Sequence, residues 1–406
     1  MNLDKKISRT GPLGGIRVLD IATIIAAPLS ATLLADYGAD VVKVELPGSG
    51  DGARDFPPFK EGKSLWWKAI NRNKRLITLD LRSPEGQEIL KRLLPEFDVL
   101  VENFRPGTLD GWGLSRDVLW EINPSLIILR TTGFGQNGPY RNRPGFARVF
   151  EAMGGLTYIT GQADGEPMHT GYPIGDSVGG LFGTIGILTA LVRRLQDPQQ
   201  RGEEIDLSMT EGVFRLLDFL PIEYDQLGSV RSRSGNASQY AAPSAVYRTA
   251  DEHYVSLSGS TNALFAANAR AIKYPELIHD PRFSSNSSRL ANAKELNTIF
   301  STWIKSHTLE DVLTAFETAG GTIAPIYSIE QIEDDPQMRA RRAIVEVPDA
   351  DFGQVRLQAT VPRFSNAACP VINTGGSIGQ DNEAIYKDQL GLTEGELLEL
   401  RKRNVI

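Results

Sequence analysis

At 406 residues, with 41% hydrophobic and 23% charged side chains, the chain is long enough for two domains or one elaborated one, and its composition excludes disorder. A net charge of −7 argues against a nucleic-acid or anionic-membrane surface, and no uninterrupted apolar run reaches the roughly 18 residues of a membrane span. Cys369 is the only cysteine, so neither a disulfide within the chain nor a structural zinc is expected; with no secretory pattern in Met1–Thr10, the cytoplasm is the natural assignment.

In chain order, residues 16–21 read as a strand, 29–37 as a helix and 41–46 as a second strand. After the turn-rich stretch 47–52 come a strand at 76–81, a helix at 84–94 opened by Pro84, and strands at 99–102 and 126–130. This alternation predicts a Rossmann-like open parallel sheet covered by helices, with ligands beyond the carboxyl ends of its strands. No Gly-x-Gly-x-x-Gly or Walker sequence follows the first strand, which disfavours the common modes of NAD, FAD and ATP binding. Anion binding at the next helix N-terminus is left open by this pattern.

Further on, residues 179–193 read as a small-residue apolar helix with Asp176 just ahead of it. A lone carboxylate there, with no histidine or cysteine nearby to activate it, is either an N-cap or a nucleophile. Gly175, Gly179 and Gly180 serve either close packing or exposure of backbone N–H donors. Residues 202–209 read as one more strand, 211–226 as a helix and 229–243 as a loop. A smaller α+β segment then combines a strand at 254–257 with helices near 262–272, 290–306 and 309–318. Strands at 343–347 and 355–357 and a helix at 394–403 complete the chain.

The sequence resembles the family III coenzyme A transferases, the group of the formyl-CoA and carnitine CoA-transferases, from about Gly14 onwards. The resemblance rests on dispersed blocks in family order: Gly15-Ile-Arg-Val-Leu-Asp20, Ala27-Pro28, Leu34-Ala-Asp-Tyr-Gly-Ala-Asp-Val-Val-Lys-Val-Glu45, Asn73-Lys-Arg75, Leu79-Asp-Leu-Arg-Ser-Pro-Glu-Gly86, Val101-Glu-Asn-Phe-Arg-Pro-Gly107 and Gly133-Phe-Gly-Gln-Asn-Gly-Pro139. It implies that Asp176 is the nucleophile of an acyl-CoA:carboxylic acid CoA-transferase, acting through aspartyl anhydride and aspartyl-CoA thioester intermediates. Acyl-CoA and a small carboxylic acid would be the substrates, with no tightly bound cofactor and no metal. By resemblance, Ile24, Ile25, Ala26, Leu79, Arg82, Asn103, Phe104 and Arg105 contact CoA. Because CoA is polyanionic, the cations Arg72, Lys74, Arg75 and Arg82 are also candidates for it.

The same resemblance implies a large domain at 10–225, a small domain at 240–330, a segment at 335–406 that returns to the large one, and an interlocked homodimer. Several positions depart from the formyl-CoA transferases. Leu46 and Gly111 stand where those have basic residues, and residues 235–243 replace their polyglycine loop, which argues against formyl-CoA and oxalate. Phe146-Ala147-Arg148 lacks the family carboxylate, while Arg148 and His169 are candidates for binding the free carboxylate of a diacid or are ordinary surface residues. Two alternatives are a 2-methylacyl-CoA racemase, disfavoured because Phe146 stands where the racemases have histidine, and a non-catalytic CoA-binding subunit, disfavoured because Asp176 is intact.

Overall fold

A computed structural model describes residues 10–406, so most of the segment that bears on a secretory signal lies outside the described residues. Its centre is a parallel sheet of β1 (Arg17–Asp20), β2 (Asp40–Glu45), β3 (Lys74–Thr78), β4 (Val99–Glu102), β5 (Ile127–Thr132) and β6 (Glu204–Ser208). The strands lie in the order β3-β2-β1-β4-β5-β6, with Val18 of β1 opposite Val41 on one side and Val99 on the other. Val18, Leu19, Val41, Val42, Val99, Leu100, Ile127 and Ile128 are wholly buried, as expected of strands covered on both faces. The Rossmann-like expectation is met, and the order reverses between β1 and β4, where a crevice opens beyond the strand ends.

The helices that matter for the site are α1 (Ala26–Asp36), α2 (Pro84–Leu93), α3 (Arg116–Ile122), α4 (Ala147–Met153), α5 (Ile174–Gln196), α6 (Met209–Arg215) and α7 (Leu220–Leu227). α2 starts where Ser83 accepts the Gly86 N–H and Pro84 fills the first turn. The single helix expected at 211–226 is two helices, because Pro221 cannot continue a helix and instead opens α7. Likewise the helix expected at 290–306 is broken at Asn292 into Asn286–Ala291 and Ala293–Lys305.

α5 is 23 residues long and apolar enough to cross a membrane by length and composition, a property that counting uninterrupted runs does not reveal. Half of its most apolar stretch is buried, as in the core helix of a folded domain. Its glycine face lies hard against α1: a Cβ on Gly180 would come within 2.7 Å of Leu29, and one on Gly183 would collide with the Ser30 hydroxyl. Close packing is therefore what Gly180 provides.

The chain divides into two units. The first comprises the described chain up to Leu156, His169–Gly228 and Ala340–Ile406. Within it the C-terminal stretch covers the edge strand β3. The Leu76 N–H donates to Asp381 at 2.7 Å and the Thr78 N–H to Asn382 at 2.9 Å, while the Tyr386 hydroxyl donates to the Thr78 carbonyl at 2.7 Å. Those bonds satisfy backbone groups that an edge strand otherwise leaves open. The second unit comprises Thr157–Met168 and Ser229–Arg339, built on an antiparallel sheet of β7 (Ser244–Arg248), β8 (Tyr254–Ser258) and β9 (Ile323–Pro325). Phe265, Phe283, Phe300 and Phe316 fill its core, and the wholly buried Arg289 donates to the carbonyls of Ala242, Ser260 and Phe283 and to the Asn262 side chain.

Candidate active site

α5 begins at Ile174, two residues before Asp176, so the aspartate is not the N-cap; Pro173 occupies that position and Asp176 sits in the first helical turn. The capping alternative therefore falls. No hydrogen bond or ion pair to its carboxylate is found among the described residues, and burial, then the charge of Glu151, push the group up to about 6. A carboxyl in that condition is poorly solvated and held by nothing that would quench it as a nucleophile.

Glu151 is the residue that sequence reasoning missed. It lies on α4 and is 1% exposed. One carboxylate oxygen accepts the Gly175 N–H at 2.9 Å, and the other lies 3.4 Å from His169 Nδ1. The Gly175 amide is thus taken, which removes it as a free donor for an oxyanion. A Cβ there would sit 3.2 Å from the Ala147 carbonyl and 3.4 Å from Glu151 Oε1, so the close approach of α4 to this turn depends on glycine. Glu151 stands one helical turn after Ala147 on the same face, a spacing of four that the sequence does display. Arg148, one residue along, is exposed, as is Phe146.

The turn carrying Asp176 adjoins the start of α1. A Cβ on Gly179 would collide with the Met209 sulfur and lie 3.5 Å from the Ala26 Cβ. Packing is thus the role of Gly179 too. Tyr172, on the approach to α5, lies 6.2 Å ring to ring from Trp66, which is 5.8 Å from Phe56; this aromatic run was also not anticipated.

A cleft of 230 Å³ opens at the carboxyl ends of β1, β2 and β3, lined by Thr23, Leu46, Asp51, Leu79, Arg82 and Phe104 among others. Across the strand-order reversal, Asn103 accepts the Thr23 N–H and donates to the Thr23 carbonyl, each at 2.8 Å, which ties the two neighbouring turns together. Phe104 packs edge-on against Trp112 at 5.1 Å. Ile25 and Ala26 are buried at the opening of α1, Ile24 is half-buried, and Arg105 is exposed. Arg82 is exposed and chelates Asp80 at 2.7 and 2.9 Å, and that partner holds the Asp80 carboxyl below the usual carboxylate range. Leu79, Arg82 and Phe104 line one cavity, and Asn103 and Ile24–Ala26 flank it.

The other candidate cations are spent internally, which corrects the expectation drawn from their clustering. Arg72 is paired with Asp36, Arg75 with Asp40, and Lys74 is wholly buried and bonded to Asp20 at 2.8 Å. Their partners come from other elements far away in sequence, so a local count of charge does not show the neutralisation. Among the described residues no group of three His, Cys, Asp or Glu side chains is gathered as metal ligands.

A family model described as CoA-transferase family III matches residues 13–382. Succinyl-CoA–D-citramalate CoA-transferase of Chloroflexus aurantiacus is 41% identical over 396 residues, covering 97% of this chain and 98% of that protein. The β subunit of succinyl-CoA–L-malate CoA-transferase from the same organism is 42% identical over 401 residues, 98% of each chain. The crystal structure of a CAIB/BAIF family protein from Brucella suis superposes with a TM-score of 0.81 at 33% identity, over 94% of this chain and all of that one.

Proposed function

The chain belongs to CoA-transferase family III and is a CoA-transferase, and from that premise we propose that Asp176 carries CoA covalently between a donor acyl-CoA and a small carboxylate. The observation that carries the reading is the placement of the Asp176 carboxyl on the first turn of α5 with no hydrogen-bond or ion-pair partner among the described residues, where burial and Glu151 push it up to about 6. A thioester is already activated, so an ionised carboxylate needs no base. One oxygen of Asp176 attacks the thioester carbonyl, the C–S bond breaks, and an aspartyl mixed anhydride and CoA thiolate result. The thiolate then attacks the aspartyl carbonyl, expelling the donor acid and leaving aspartyl-CoA. The acceptor carboxylate attacks that thioester and releases the thiolate once more. Attack of the thiolate on the acceptor acyl carbonyl frees the new acyl-CoA and restores Asp176.

In this reading CoA occupies the cleft at the β1–β4 reversal, against Ile24, Ile25, Ala26, Leu79, Arg82, Asn103, Phe104 and Arg105. Relatives named for succinyl-CoA with citramalate or malate support succinyl-CoA as donor and a dicarboxylate as acceptor, with Arg148 and His169 as candidates for its second carboxylate. Residues 10–225 would carry both sites, 240–330 the small domain and 335–406 the segment that completes the large one. The working form is a cytoplasmic homodimer. A row of exposed apolar side chains on α5, Leu181, Ile185, Val192 and Leu195, supports burial against a second copy. Racemisation is disfavoured because Phe146 offers no proton-transfer group.

The test is to incubate the enzyme with succinyl-CoA, without acceptor, in the presence of hydroxylamine or borohydride and to map the adduct by mass spectrometry. Modification at Asp176 is expected, and multiple turnover by Asp176→Ala would sink the mechanism. A panel of dicarboxylates then identifies the acceptor.

A further inference from the structure

The cleft at the strand ends is shaped by a turn in an unfavourable conformation. Ile24 has a φ of 71°, the left-handed region that a β-branched residue strongly disfavours. What holds it there is Asp51. Its two oxygens lie 3.0 and 3.3 Å from the Ile24 N–H, and one of them accepts the Ala53 N–H at 2.8 Å. Asp51 is 4% exposed and is paired at 2.8 Å with Lys43, which is wholly buried and also donates to the Ala22 carbonyl. This buried ion pair, with Asp20 3.9 Å from the same lysine, thus grips the turn at both Ala22 and Ile24. Glu45 supports it from below, accepting the Asp51 N–H at 3.0 Å and chelating Arg54 at 2.6 and 2.7 Å. Gly52 completes the fit, since a Cβ there would press on the Ile24 side chain at 2.9 Å.

A buried charge pair is seldom a net source of stability compared with apolar packing, whereas breaking one is costly. Its presence under a strained turn is better accounted for by shape. We propose that Asp51, anchored by Lys43, is a positioning residue for acyl-CoA, forcing Ile24 into its left-handed conformation so that the turn after β1 forms one wall of the cleft. This rests on the reading of that cleft as the CoA site. The role is separable from charge attraction to CoA, because Asp51 is an anion and its contribution runs through the backbone of Ile24.

Glycine adopts a positive φ without penalty, so it supplies the rescue that a merely structural role would not show. Free CoA affinity by calorimetry and KM for succinyl-CoA are measured for the wild type, Asp51→Asn, Gly52→Ala, and each combined with Ile24→Gly. Asp51→Asn is expected to weaken CoA about tenfold, which is about 1.4 kcal/mol, with acceptor KM little changed, and Ile24→Gly to restore most of the loss. Gly52→Ala leaves the ion pair intact and meets only the terminal methyl of Ile24, which can swing aside, so it is the steric control and is expected to keep near-wild-type affinity; should Asp51→Asn alone fail to fold, Asp51→Asn/Ile24→Gly is compared with Ile24→Gly and is expected to match it. Wild-type CoA affinity in Asp51→Asn, or a loss that Ile24→Gly does not relieve, overturns the positioning role while leaving the CoA-transferase reading intact. A wild-type enzyme that binds neither CoA nor succinyl-CoA overturns the site itself.

Discussion

Replacing Asp176 with asparagine should make the protein inactive and more stable at once. Asp176 has no hydrogen-bonded partner for its charge among the described residues, and burial is the main cause that lifts its carboxyl from the ordinary 3.8 to about 6, with Glu151 adding to it. A rise of that size means the folded state resists ionisation by roughly 3 kcal/mol, an upper figure because solvent reaches part of the group. The sign follows from proton binding. Below pH 3.8 the carboxyl is neutral in both states and exerts no effect. Between about 4 and 6 the unfolded chain ionises first, so the wild type loses stability as pH rises, and above 6 the deficit is constant. Asp176→Asn removes that deficit, so its urea midpoint at pH 7.5 should exceed the wild type's by the equivalent of about 1–3 kcal/mol and converge on it near pH 4. Urea unfolding followed by circular dichroism at a series of pH values measures this directly. A gain that is absent, or that persists unchanged at pH 4, would refute the claim that the nucleophile is held in an unfavourable electrostatic setting.

Glu151→Gln keeps an acceptor for the Gly175 N–H but removes the like charge, so the acid limb of the kcat/KM profile should move below about pH 6; since burial remains, it should stay above 3.8, and an unmoved limb would refute the coupling. Gly180→Ala, with its Cβ 2.7 Å from Leu29, should cost about 1–3 kcal/mol in denaturant midpoint in spite of alanine's better helix propensity. Arg289→Met leaves three carbonyls and an amide oxygen without their buried donor and should destabilise by about 3–5 kcal/mol, read by thermal melting. In deuterated water a chiral 2-methylacyl-CoA should gain no α-deuterium at a rate comparable with transfer; rapid exchange would revive the racemase alternative. Sedimentation should find a dimer, with dissociation accompanying loss of structure, and a folded active monomer would exclude interlocking.

The sheet was legible because its strands are short β-branched runs alternating with helical periodicity, and six such runs in register leave little freedom of topology. Asp176 stood out for the same local reason, as a carboxylate beside a run of small residues. What stayed hidden depends on contacts between residues distant in the chain. Arg75 reads as a free cation until Asp40, thirty-five positions away, is seen beside it. Glu151 carries no role in the sequence, and gains one only where Gly175 closes on it across twenty-four positions. The start of α5 was misplaced because Asp is so favoured as an N-cap that it drew the boundary to itself, past the Pro173 that opens the helix.

The glycine seam between α1 and α5 has a consequence for how such an enzyme diversifies. Because Gly180 and Gly183 seat bare α5 main chain directly on the Leu29 and Ser30 side chains of α1, and the Ser30 hydroxyl donates to the Gly180 carbonyl at 3.1 Å, the spacing between the helix that carries Asp176 and the helix that opens beside the cleft is fixed by two α1 side chains with nothing opposite them to vary. With CoA placed as proposed, its pantetheine arm has a fixed contour length, so a rigid gauge of this kind would keep the reach from nucleotide to thioester constant while residues at the mouth change. In that reading, substrate range would drift by exchange of exposed groups near Asp176 such as Phe146, Arg148 or Tyr172, with no retuning of the distance over which the carrier must extend.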